Sequence, residues 1–152
     1  MQRWLVAIDD TPASTHAFNF AIGYMKRDVD ELYLLHAMES PVAAFIGYAT
    51  VTLIEGLQRA ERERAMKILT HFGRLAKGAG VRYKLLQGSS ASAGKLLCRA
   101  VKEFDIAQLV IGRREMGTIH RFFSGSVSKY VVEHADCNVV VVKVRSRPNP
   151  SS

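Results

Sequence analysis

The chain has 152 residues, 48% of them hydrophobic, and a formal net charge of +7. That length suits one domain with a substantial core, and that composition excludes a disordered chain. Its longest apolar runs fall far short of a membrane span, and Met1–Gln2–Arg3–Trp4 opens with no secretory pattern, so a cytoplasmic protein is expected.

Trp4 to Ile8 is a continuous apolar run, the mark of a strand buried on both faces. After Asp9–Asp10, Thr11–Pro12 reads as a helix cap and first helical residue. The helix then carries Ala13, Ala17, Phe20, Ala21, Tyr24 and Met25 at helical spacing, with Lys26 and Arg27 suiting its C-terminus. Leu32 to Met38 is the second buried strand. Val42 to Thr52 has too weak a pattern to assign.

A long helix follows, with Leu53, Leu57, Ala60, Ala65, Ile68, Leu69, Phe72 and Leu75 as its expected buried stripe. Arg62 and Arg64 read as solvated face, and Gly78 and Gly80 end the helix. Val81 to Gln87 is a third strand, less apolar and so nearer an edge. A loop from Gly88 to Ser92 leads into a helix with Ala93, Leu96, Leu97, Ala100, Val101 and Phe104 on one face. Cys98 reads as a buried filler at its margin. Cys98 and Cys137 form no CxxC pair, which argues against a disulfide framework and a thiolate metal site.

The stretch from Gln108 to Val144 is the most informative. Leu109–Val110–Ile111 reads as a strand that stops at Gly112. A polar, basic loop follows, and then Gly125–Ser126 opens a helix marked by Val127, Tyr130, Val131 and His134. Val139–Val142 is the fifth strand, and residues 146–152 read as a flexible tail after a domain spanning residues 1–145. Strand, glycine loop and helix start are the parts of an anion cradle, because a helix N-terminus offers unpaired N–H groups and partial positive charge. The positive net charge also suits an anionic partner. No basic run reaches five residues and the aromatics do not interleave with the basic ones, which argues against nucleic acid.

This alternation predicts an α/β fold: a five-stranded parallel sheet with helices on both faces and right-handed crossovers. With strand order 3-2-1-4-5, a ligand would bind outside the C-terminal ends of strands one and four, where Asp9 and Gly112 would face one crevice.

From Trp4 to Val144 the chain resembles the universal stress protein family, whose nucleotide-binding members carry Gly-x2-Gly-x9-Gly-Ser/Thr after the fourth strand. The frame here is Gly112–Arg113–Arg114–Glu115, then Met116 to Ser124, then Gly125–Ser126–Val127. Asp9 at the end of strand one, Leu34–Leu35–His36 in strand two and the valine-rich last strand also match. The resemblance implies a Rossmann-like sheet binding ATP, AMP or ADP, with Mg²⁺ accompanying the nucleotide. Asp9 would contact the ribose and adenine, Ala7 and Ile8 would wall the base, and Met38 would sit at its end of strand two. Gly112, Gly125, Ser126 and Val127 would contact phosphates and ribose. The resemblance further implies a homodimer through Val139–Val144, where a bare valine edge would invite aggregation. The protein partner is left open.

Glu115 departs from the motif, standing where the second glycine belongs. A carboxylate ~4 Å from phosphate, at an effective dielectric of about 20, is repelled by about 4 kcal/mol. If that position needs positive φ, a side chain adds roughly 1–2 kcal/mol of strain. Glu115 could instead face solvent or ligate Mg²⁺. Gly117 could restore flexibility, with Arg113, Arg114, His120 and Arg121 offsetting the charge.

Other readings stand beside these. Asp9–Asp10 as a metal pair lacks a partner Asp after strand three, and Asp10 fits turn and helix-start chemistry. His36 reads as a hydrogen-bonded core residue, and His16, His71 and His134 as ordinary helix residues. Ser126 is a helix-start cap before it is a phosphate ligand. No base is positioned for an attacking water, so a sensor or regulator is expected rather than an efficient enzyme. The alternatives are a dimeric interaction module without nucleotide, and a weak metal-assisted hydrolase using Asp9, Asp10 or Glu115.

Overall fold

In the computed structural model, residues 1–38, 51–114 and 125–144 are described. Strand β1 (Arg3–Ile8) leads to helix α1 (Pro12–Tyr24), β2 (Glu31–Met38), α2 (Val51–Gly78), β3 (Arg82–Ser89) and α3 (Ala93–Glu103). Then come β4 (Gln108–Arg114), α4 (Gly125–His134) and β5 (Asn138–Val144). All described pairings are parallel and the strand order is β3-β2-β1-β4-β5. The expected architecture is therefore present. β3 occupies an edge, as its polarity suggested, and it runs through Gly88 and Ser89, which the sequence placed in a loop.

The central strand β1 feeds two cores at once, because successive side chains point to opposite faces. Trp4, Val6 and Ile8 pack with Phe18, Ala21, Leu69 and Phe72 on the face covered by α1 and α2. Leu5 and Ala7 pack with Leu97, Val101, Leu109 and Val131 on the face covered by α3 and α4. This two-sided burial is what a continuous apolar run encodes.

The two helices of the first face lie differently from the expected stripes. On α1 the buried set is Ala13, Ser14, Ala17, Phe18 and Ala21, whereas Tyr24 is 70% exposed. On α2 the stripe is Ala65, Ile68, Leu69, Phe72 and Ala76, and Leu53, Leu57, Ala60 and Leu75 are exposed. For Tyr24 and Leu75 the reason is how the helix is turned against the sheet, and for Leu53, Leu57 and Ala60 it is length. A helix of 28 residues spans ~42 Å, while a strand of 8 residues spans only ~26 Å. The N-terminal part of α2 overhangs the sheet. Helix α2 ends at Gly78, and Gly80 takes the left-handed φ of +71° that closes the turn.

At the N-terminal end of the sheet, Asp30 ties three segments together. Its Oδ1 accepts from the Gln2 N–H at 2.8 Å, and its Oδ2 accepts from the Lys26 N–H at 2.9 Å and Trp4 Nε1–H at 3.2 Å. Lys26 thus lies beyond the end of α1 and serves through its backbone. Burial opposes the Asp30 charge, but the bonds from Gln2, Lys26 and Trp4 outweigh it and hold its pKa below the ordinary carboxylate value.

Candidate functional site

At the opposite end the sheet opens. β1 pairs with β4 through Trp4–Gln108, Leu5–Leu109 and Val6–Val110. Beyond that, β1 stays paired with β2 as far as Ile8–His36, and β4 with β5 as far as Arg114–Val144. The strands part at the point where the order reverses, as the fold class requires of a ligand crevice. Gly112 does not end β4, which runs two residues further. Its glycine answers to packing: a Cβ there would lie 2.2 Å from the Ala13 carbonyl oxygen, so the first turn of α1 rests directly on the strand.

Asp9 is 8% exposed and closes the β1–α1 turn. Its Oδ1 accepts from the Thr11 N–H at 2.8 Å, the Ser14 hydroxyl at 2.7 Å and the Thr11 hydroxyl. The Asp9 N–H in turn donates to Ser14 Oγ at 2.7 Å. Thr11 is the N-cap residue of α1, but its side chain makes no cap bond to the helix and turns back to Asp9. All three bonds fall on one oxygen, and Oδ2 accepts none from a described residue. Asp10 forms an ion pair with Arg64, which binds the turn to α2. Arg64 is therefore not plain solvated face. Neither Ser14 nor Arg64 was legible as a partner of this turn, since nothing in the local pattern marks them.

The motif's two ends come together through Arg113. A Cβ on Gly125 would lie 3.3 Å from Arg113 Nη2, so the exposed guanidinium reaches the first turn of α4. Cation and positive helix end are adjacent, an unfavourable pairing that an anion would relieve. Ser126 is exposed and Val127 half-buried. Ser128, a residue not singled out from sequence, is buried and donates to the Gly125 carbonyl at 3.2 Å. Glu115, Gly117, His120 and Arg121 lie outside the described residues, as does the side chain of Arg114. So do the segment 39–50 and the tail 145–152.

Ala7 and Ile8 are sealed in the two cores, so any contact with a base would fall to their backbone. The Ile8 carbonyl already accepts from His36 Nδ1–H at 2.9 Å. His36 is 5% exposed, as a core residue should be, and its Nε2 is buried without a partner among the described residues. Met38 is half-buried at the strand end, and its sulfur accepts from Gln87 Nε2 at 2.7 Å. A cavity of about 380 Å³ lies between the β1–α1 turn and α2, lined by Asp9, Asp10, Thr11, His16, His71 and Phe72 among others. Its described lining does not include Gly112. A larger hollow, about 800 Å³, runs along the outer charged face of α2 and touches none of the motif residues. His16 and His71 thus share a cavity wall with Asp9. Among the described residues no three His, Cys, Asp or Glu side chains could hold a metal ion.

Five parallel strands in this order, with a switch-point crevice beside a glycine-flanked helix start, define a Rossmann-like α/β protein of the universal stress type. The chain belongs to the universal stress protein family, which it matches over residues 1–143. A candidate universal stress protein of Staphylococcus aureus (strain USA300) is 26% identical over 147 residues, covering 95% of this chain and 85% of the relative. The solved universal stress protein UspA of Lactobacillus plantarum is 24% identical, covers 93% of this chain and 97% of its own, and superposes with a TM-score of 0.72. An Arabidopsis thaliana family member solved with AMP bound is 20% identical, with 99% and 97% covered and a TM-score of 0.70. No described helix is long and apolar enough to cross a membrane.

Proposed function

We propose that this chain binds an adenine nucleotide, ATP foremost, and acts in the cytoplasm as a stress-linked sensor or regulator rather than an efficient enzyme. The observation that carries the reading is the Arg113 guanidinium set against the first turn of α4, with no acidic partner among the described residues. A triphosphate would satisfy both positive features at once. The Asp9 Oδ2, which accepts no bond from a described residue, supports the same reading, since a ribose hydroxyl or base amine is a donor in search of an acceptor. The AMP-bound relative supplies the adenine.

Titration calorimetry with ATP, with and without Mg²⁺, is expected to give micromolar or tighter binding. Arg113→Gln should weaken it about tenfold, as befits one lost charge-assisted bond. No heat at millimolar ATP would sink the nucleotide reading and leave a nucleotide-free interaction module. The same proposal holds that two copies pair through Val139–Val144, whose strand lies at the sheet edge with its valines half-exposed. Val141→Lys should then shift sedimentation from dimer to monomer, and an unchanged mass would place the interface elsewhere.

A further inference from the structure

One side of the sheet ends in β3, which pairs with β2 alone among the described residues. All 8 of its residues, Arg82–Ser89, keep unbroken parallel register with Glu31–Met38. No bulge turns this edge away and no proline interrupts it, so its outer backbone groups face no described strand. Tyr83 and Leu85 lie on the α2 face, where a Cβ on Gly73 would stand 3.2 Å from Leu85 Cδ1 and 3.6 Å from the Tyr83 ring. Met66 and Lys77 fall on the Gly73 side of α2, seven residues before it and four after it. Leu85 is 41% exposed and Met66 56%, an apolar strip left open beside the edge. Arg82 and Lys84 share the opposite face, where Lys84 Nζ lies 5.1 Å from the Tyr33 ring centroid and 3.4 Å from Glu31. From Arg64 to Lys102 the chain carries no Asp or Glu. Lys77 and Arg82 form no ion pair with a described residue.

We propose that the open edge of β3 takes an extended segment of a partner protein as a further strand, one in which apolar and acidic residues alternate. An added strand lies about 4.8 Å from its neighbour, with successive side chains on opposite faces. Its residues of one parity therefore fall beside Leu85 and Met66, and those of the other beside Arg82 and Lys84. The first set meets an apolar strip and the second meets cations. Main-chain hydrogen bonds supply the affinity, and the alternating side chains choose the partner. A second copy of this chain is a poor occupant, because pairing two β3 edges sets Arg82 and Lys84 against like charges. The cations that deter self-pairing are the ones that select an acidic strand. Two strands, β2 and β1, separate this edge from β4, so the surface stands apart from the crevice at Asp9 and Gly112 and needs no nucleotide.

The test is fluorescence anisotropy of the peptide Glu-Val-Glu-Val-Glu-Val-Glu, labelled with fluorescein and titrated with the full chain in the absence of nucleotide. Saturable binding at micromolar chain is expected. Replacing every Glu of the peptide by Lys should abolish it by reversing the charge, and methylating every backbone nitrogen should abolish it by blocking strand pairing. Hydrogen exchange followed by mass spectrometry should slow in β3, and not in β5, when the peptide is bound. Met66→Glu and Lys77→Glu, both at exposed positions, should each weaken binding about tenfold. No saturable binding, equal binding of the methylated peptide, or protection at β5 in place of β3 overturns the proposal. So does β3 protection that grows with chain concentration before any peptide is added, which would make a second copy the occupant. The wild-type results stand whether or not either variant folds.

Discussion

Asp9 and Asp30 are both buried carboxylates that accept three hydrogen bonds, yet they sit at opposite ends of the sheet and are wired differently. Asp30 spreads its bonds over both oxygens and joins β1, the α1–β2 turn and β2. Asp9 takes all three on Oδ1, leaving Oδ2 without a described partner on the wall of a cavity. The first arrangement satisfies the carboxylate and fixes the chain. The second fixes the turn while holding an acceptor in reserve. Burial and bond count alone would not separate a structural acid from one available to a ligand; the distribution of bonds between the two oxygens does.

The comparison can be broken most directly at Asp30. Asp30→Ala would strand three donors in the protein, and urea denaturation should show a loss of about 4 kcal/mol. Its folded pKa lies below the ordinary value, so its contribution is fully present above the carboxylate range and is lost as pH falls through the folded pKa. Wild-type stability should accordingly fall more steeply than that of Asp30→Asn on acidification below about pH 4. Equal slopes would show that the Asp30 charge contributes nothing.

Gly112→Ala comes next in size. Its methyl would collide with the Ala13 carbonyl, and pushing α1 off β4 should cost about 2–3 kcal/mol in the same measurement. A neutral result would mean that α1 yields freely and that the crevice is not held rigid from that side. The smallest stability effect belongs to Asp9→Asn, about 1 kcal/mol, since the amide oxygen can still accept at the Oδ1 position. ATP affinity, however, should fall about tenfold in that variant. If Asp9→Asn instead destabilised the fold as much as Asp30→Ala while binding ATP normally, the contrast between the two acids would be void.

Legibility in the sequence followed the range of the interactions involved. The strands β1, β2 and β4 were visible because burial on both faces writes itself into consecutive residues, and β5 because its valine run carries high strand propensity although it is only half-buried. The α1 stripe was misread at Tyr24, since periodicity marks an apolar side but not its rotation; Phe20 packs partly buried against the core, and packing also chose Phe18 and Ser14. Leu53 and Leu57 kept helical spacing but lost their floor, because α2 outruns the sheet. The salt bridge between Asp10 and Arg64 links residues 54 positions apart, and no local pattern foretells it.

From the sequence alone came the alternation of strands and helices, the parallel sheet, the family and the spacing of the glycine motif. Each depends on short-range periodicity or on residues a few positions apart. Only the tertiary structure decided that Gly112 is a contact point for Ala13 inside a strand, and that Arg113 meets the start of α4. It also decided that the bonds Asp9 accepts from described residues all fall on one oxygen. Those facts depend on which distant segments packing brings together and on how each helix is turned against the sheet.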